Sequence, residues 1–271
     1  MTVGIAALCE DDEESKTVIA ADRMVTVGSQ GGIEYEDTES KLETFIENDE
    51  LAAVAVGSGV SAYIDEIMYR ADEYTEHYGA LSTARDALQV ALTAYQDTVK
   101  ETIANQACQP YGYTLGDLQD EDVTVPTEIQ RDIIESASNI KEDTSKRAQV
   151  LVAASGTDGG GIFHLAGMDY TNFSDIGYSV IGSGAGSARL TFIRREYDRT
   201  CEYRKAVLTT LEAKSQAEER QGVGRKVDMY SVSPGEIEEF GTDEKKEIRG
   251  RLDEIENEED EARERVMEDW D

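Results

Sequence analysis

Basic residues are scarce in this chain: its 271 residues hold 26 Lys and Arg against 58 Asp and Glu, a formal net charge of -32 at pH 7. A field of that sign repels phosphate backbones and anionic lipid, which argues against nucleic acid and membrane surfaces as partners. Cysteine is scarcer still. Cys9, Cys108 and Cys201 lie far apart and form no CxxC pair, so a disulfide framework or zinc cage is not expected and a reduced, cytoplasmic compartment is. The two histidines, His77 and His164, pair with no Ser or Cys motif and are read as structural. No apolar segment approaches membrane-spanning length, and the acidic run from Glu10 cuts off any signal-peptide h-region. The acid itself is spread along the whole chain, as expected of a solvated surface in a high-salt cytoplasm, where screening weakens repulsion. No acidic loop shows the spaced ligands of a calcium site. Neither a metal nor a cofactor is expected.

What is there is enough apolar material for a core, 39% hydrophobic but only 7% aromatic, in one large domain or two small ones. Two apolar runs, Val3 to Cys9 and Thr17 to Ala21, read as strands joined by an acidic turn. A loop or bulged connection, broken by glycines, is expected over Met24 to Gly32. Leu42 to Ile46 and Leu51 to Val56 read as a second hairpin. Gly57-Ser58-Gly59 then launches a helix through Val60, Tyr63, Ile64, Ile67 and Met68, and Ser82 is the expected N-cap of a second. Pro126 is expected to begin a short helix through Ile129, Ile133 and Ile134. Strands follow at Gln149 to Ala154, Ile162 to Leu165 and Tyr178 to Ile181, helices at Ser187 to Tyr197 and Glu202 to Arg220, and a strand at Lys226 to Val232. Thr242 to Trp270 reads as a charged helix with a sparse apolar seam at Ile248, Leu252, Ile255 and Val266. Runs of strands alternating with pairs of helices predict largely antiparallel sheets covered by helical layers.

The most informative stretch is the first. A Thr at the head of a chain carries a hydroxyl and a free α-amine, whose ordinary pKa of ~7.7–8.0 lets it act as a base near neutrality. Thr2-Val3-Gly4-Ile5 is followed, in order, by Val18-Ile19-Ala20-Ala21-Asp22, Ser40-Lys41-Leu42, Ala55-Val56-Gly57 and Ile181-Gly182-Ser183-Gly184. This ordered set resembles the proteasome β-subunit and HslV family of N-terminal nucleophile (Ntn) hydrolases. The resemblance covers roughly Thr2 to Val232. It implies an α+β fold, a four-layer αββα sandwich with two largely antiparallel sheets, here with a C-terminal charged helix. It also divides the chain: an Ntn domain over 1–241 with an insertion at about 108–147, and an acidic helical extension over 242–271.

Carried over residue by residue, the resemblance makes Thr2 the nucleophile, Asp22 the carboxylate that orients a lysine, and Lys41 that lysine. Gly57 matches the residue whose backbone N–H binds the developing oxyanion, and Ser183 a serine near the threonine amine. The roles are chemically coherent. An ammonium beside the hydroxyl favours its ionised form and disfavours a protonated neighbouring amine. An Asp-x-x-Ser-Gly-Gly stretch is altered here to Glu219-Arg220-Gln221-Gly222-Val223-Gly224, so Glu219 stands in for the aspartate and Gly222 supplies no hydroxyl. Only Met1 precedes Thr2, so a Met aminopeptidase rather than self-cleavage would unmask it. The implied activity is a threonine peptidase or amidase acting on peptide or protein substrates, in a homo-oligomeric ring that an ATP-dependent unfoldase could serve. Two other readings use the same residues: a scaffold subunit with Thr2 blocked, and a peptide ligase or transpeptidase. Taken singly, Thr2, Asp22 and Lys41 are an ordinary second residue, a strand end and a surface lysine. Gly182-Ser183-Gly184 lacks the third glycine and acidic ribose reader of a dinucleotide loop.

Overall fold

The computed structural model describes residues 2–11, 14–27, 33–36, 40–120, 122–220 and 223–268. The two opening apolar runs form β1 (Val3–Asp11) and β2 (Glu14–Asp22), antiparallel with Ile5 opposite Ala20. The loop expected over Met24 to Gly32 is corrected in its first part. There β3 (Met24–Val27) pairs with β4 (Ile33–Glu36) as a separate two-stranded sheet, because Val25-Thr26-Val27 is a β-branched run that favours extended backbone. Residues 28–32 lie outside the described residues. β5 (Leu42–Glu47) and β6 (Ala52–Gly59) are the second hairpin. Strand β6 runs on through the glycines that were expected to launch a helix, and α1 (Ser61–His77) starts only after them.

Helix α2 (Ala84–Ile103) is capped by Thr83, not Ser82. The Thr83 hydroxyl accepts the Asp86 N–H at 3.1 Å and the Asp86 carboxylate accepts the Thr83 N–H at 2.9 Å, a reciprocal box that Ser82 is one residue too early to make. Helix α3 (Thr127–Arg147) has 21 residues, longer than the short helix expected. Pro126 precedes it, where a missing N–H forfeits no helix bond. The remaining elements are β7 (Ala148–Gly156), β8 (Gly159–Ala166), β9 (Asp169–Asn172), β10 (Tyr178–Gly182), α4 (Ala185–Arg194), α5 (Tyr203–Ala217), β11 (Val227–Ser233), β12 (Glu236–Glu239) and α6 (Thr242–Glu268). Neither β9 nor β12 was expected. Both are four residues long with no buried side chain, so no apolar alternation marks them.

Two antiparallel five-stranded sheets result, ordered β10-β1-β2-β11-β12 and β5-β6-β7-β8-β9. Alternation along β1 sets the layers. Val3, Ile5, Ala7 and Cys9 pack outward with Ala188 and Phe192 of α4 and Ala206 and Val207 of α5. Ala6 and Leu8 face inward, against Val54, Val56, Leu151 and Ile162 of the second sheet. The far side of that sheet buries Ala55, Val150 and Val152 with Ile67 and Met68 of α1 and Leu88 and Tyr95 of α2. Helices, sheet, sheet, helices: this is the four-layer αββα sandwich expected. On α6 the apolar seam holds at its start, where Leu252 is 7% exposed and Ile248 is packed, and has ended by Val266, 63% exposed. No described helix is long and apolar enough to cross a membrane.

Removing a branched side chain between the sheets leaves a cavity that rigid strands cannot close. Leu151→Ala should therefore lower stability by about 2–5 kcal/mol, and Val266→Ala should change it by less than ~0.5 kcal/mol. Urea unfolding of the two variants checks this, and equal midpoints would contradict the layer assignment.

Candidate active site

The alternation that sends Ala6 and Leu8 into the gap between the sheets carries to Thr2 at the head of β1. Thr2 is 8% exposed. Lys41 reaches it from the other sheet, from the residue just before β5. Its Nζ donates to Thr2 Oγ1 at 2.8 Å, to Asp22 Oδ1 at 3.3 Å and to the Met24 carbonyl. The sequence-predicted residues Thr2, Asp22 and Lys41 are thus brought into one contact group, from residues separated by as much as 39 positions.

Asp22, the last residue of β2, is fully buried. A buried carboxylate is costly unless its oxygens are occupied, and these are. Oδ1 accepts the Val3 N–H at 2.9 Å, and Oδ2 accepts the N–H groups of Met24 and Gly224, each at 3.0 Å. The next residue, Arg23, pins the same strand end by donating to both oxygens of buried Asp228 on β11, at 2.8 and 2.5 Å. Gly224 and the Met24 carbonyl were not foreseen from the sequence. Each acts through its backbone, which leaves no residue-type signal.

Ser183 also lies at Thr2, with a different partner from the one expected. Its hydroxyl donates to the Thr2 carbonyl at 3.4 Å; the expectation had placed it near the amine. Gly182 beside it has φ +89°, and a Cβ there would stand 2.0 Å from the Thr2 carbonyl oxygen. Only glycine fits both constraints. Gly57 lies one step past the Leu42–Val56 pair, the step at which Lys41 precedes β5. A Cβ on Gly57 would come within 2.1 Å of the Ile64 side chain of α1, so the close approach of that helix enforces the glycine.

Glu219 does not join the group. It is exposed on the turn after α5, and among the described residues none pairs with it. The turn carries its paired, half-buried charge one residue earlier, where Glu218 accepts from Lys214 Nζ at 2.5 Å and from Arg249 at 2.8 Å. Gln221 and Gly222, where the missing hydroxyl was read, lie outside the described residues.

Chemically, an ammonium that donates to a hydroxyl oxygen stabilises the alkoxide that forms when the hydroxyl loses its proton. The buried carboxylate fixes that ammonium. Asp22→Ala would leave three backbone N–H groups without their acceptor and take the carboxylate from Lys41, for an expected loss of about 3–5 kcal/mol. Asp22→Asn keeps an acceptor oxygen and should lose less. Urea denaturation of both variants checks the order, and an Ala variant as stable as the Asn variant would count against this role.

No protein-family model matches the chain, and no curated protein matches it. Solved structures do match. A mutant of Anbu from Hyphomicrobium sp. strain MC1 superposes with a TM-score of 0.62 at 12% identity, over 95% of this chain and 96% of that one. Anbu from Yersinia bercovieri, described as an ancestral β-subunit, gives 0.61 at 14% identity over 93% of each chain. A further structure of the Hyphomicrobium protein gives 0.60 at 12%, over 94% and 95%. These neighbours correct the resemblance drawn from the sequence, which named the proteasome β-subunit and HslV; the matched structures are Anbu, a related branch. At this level of identity the likeness shows the fold alone, the αββα sandwich described above.

Proposed function

We propose that the chain is a threonine-type amidase or peptidase whose nucleophile is the Thr2 hydroxyl, unmasked by removal of Met1. The observation that carries this reading is the 2.8 Å hydrogen bond from Lys41 Nζ to Thr2 Oγ1, with Asp22 behind it. In this mechanism the Thr2 α-amine takes the hydroxyl proton as Oγ1 adds to an amide carbonyl. Lys41 steadies the negative charge on Oγ1 on the way to attack. The Gly57 N–H receives the oxyanion of the tetrahedral intermediate. Collapse breaks the C–N bond, the α-ammonium returns its proton to the leaving amine, and an ester on Thr2 remains. Water, activated by the same amine, releases the acid; an amine in place of water would make the reaction a transfer.

Residues 1–241 would then be the catalytic unit, with 108–147 as its insertion and 242–271 as an extension. A homo-oligomer is part of the proposal. The exposed Leu190 and Ile193, at 52% and 57% on the outer face of α4, support it as a contact surface.

An epoxyketone, which reacts with a hydroxyl and an α-amine on the same residue, tests the reading. Wild-type protein lacking Met1 by intact mass should be labelled, and Thr2→Ala should not. Lys41→Ala should label at least about 100-fold more slowly, the low end for losing a group that assists proton transfer. Met1 retained on the purified protein, or labelling of the Thr2 and Lys41 variants at the wild-type rate, would overturn the proposal and favour a scaffold.

A further inference from the structure

The Asp22 carboxylate has a second line of support, from the helix packed behind β2. Strand parity puts Asp22 on the same face of β2 as Val18 and Ala20, the face packed against α5. Lys214 lies on that helix, on the stripe formed by Val207, Thr210 and Ala217, and its side chain is 0% exposed. Its Nζ donates to the Glu218 carboxylate at 2.5 Å, to the Gly224 carbonyl at 2.7 Å and to the Arg225 carbonyl at 2.8 Å. Three acceptors use all three protons of an ammonium. Burial presses the Lys214 pKa downward, and Glu218 opposes that pull, with a smaller contribution from Asp22. Glu218 is held in turn by Arg249 of α6 at 2.8 Å.

Gly224 is therefore gripped on both sides of its backbone. Its carbonyl accepts from Lys214 while its N–H donates to Asp22 Oδ2 at 3.0 Å. Its neighbour Val223 is buried, packed within reach of Gly184 beside Val3 and Ala217. Two residues after Arg225 the chain enters β11, whose Val227 lies opposite Asp22. The lysine thus fixes one of the two segments that present an N–H to Oδ2 of the carboxylate, the other being at Met24.

We propose that Lys214 is a positioning residue for the Thr2 site: by clamping the carbonyls of Gly224 and Arg225 it aims the Gly224 N–H at Asp22, and through Asp22 it sets Lys41 against the Thr2 hydroxyl. Glu218 neutralises the clamp without aiming it; Arg249 holds Glu218 and adds a longer contact to the Arg225 carbonyl, at 3.3 Å. The inference rests on the Thr2 reading for its effect on rate; the clamp itself is independent of that reading.

The test separates the two. Lys214→Met should slow epoxyketone reaction at saturating probe by about tenfold or more, because misplacement by a fraction of an ångström is enough to do so, while the half-saturating concentration stays the same. Glu218→Gln, which keeps an acceptor and leaves both carbonyl contacts, should lower the melting temperature yet react at the wild-type rate. Should Lys214→Met fail to fold, Lys214→Met/Glu218→Leu removes both charges, and it should recover stability without recovering rate. In whichever variant folds, hydrogen exchange of the peptide carrying Gly224 should quicken at least tenfold. Rates that simply follow melting temperature across the set, or unchanged exchange at Gly224, would overturn the inference. A wild type that is not labelled would sink the threonine reading instead, and exchange at Gly224 would still decide whether Lys214 aims the N–H.

Discussion

A buried carboxylate constrains everything at this site. Asp22 is out of contact with water, and its oxygens meet three backbone N–H groups and one ammonium, which offset the cost of burying a carboxylate. Those donors come from the head of β1, the start of β3, the residue before β5 and the turn before β11. Four separate stretches of chain must converge before the cost of burying Asp22 is offset, so the site and the fold form together. Displacing any one of them leaves either an unsatisfied oxygen or an unsatisfied donor.

The sandwich is what makes that convergence repeatable. Period-two alternation along β1 delivers Thr2 to the gap between sheets, and the β5–β6 hairpin delivers Lys41 from across it. The β2–β11 ladder, with Val227 opposite Asp22, brings Gly224 to the carboxylate from the helix side. Gly182 clears space for the Thr2 carbonyl where a side chain would collide. Hydrophobic burial in three stacked layers drives the assembly, and the polar group is placed at the one end where strands stop and backbone donors are free to turn toward it.

Much of this was legible in the residues. The apolar strands and the 3.6-residue helices carried their periods openly, and Thr2, Asp22 and Lys41 stood in an order that named their chemistry. What was not legible had physical reasons. Strand β9 is exposed and β12 has only Ile237 partly buried, so neither shows alternation. The backbone groups of Met24 and Gly224 belong to no residue type. Ser183 could be placed beside Thr2 but its partner could not, since a serine hydroxyl serves equally as donor to a carbonyl or neighbour to an amine. Glu219 was taken from the match to the Asp-x-x-Ser-Gly-Gly pattern, and such spacing cannot tell that the turn leaves it exposed while Glu218 meets Lys214. Lys214 did leave a mark, a lysine on the apolar stripe of α5 with Glu218 four residues on, but only the fold shows that the stripe faces Asp22.

The most direct measurement is a crystal structure of the mature protein after reaction with an epoxyketone. The account predicts the probe bonded to both the hydroxyl oxygen and the α-nitrogen of Thr2, with Lys41 Nζ within about 3 Å of that oxygen, a hydrogen-bond distance, and still in contact with Asp22. Probe attached elsewhere, or a Thr2 hydroxyl out of reach of Lys41, would contradict it.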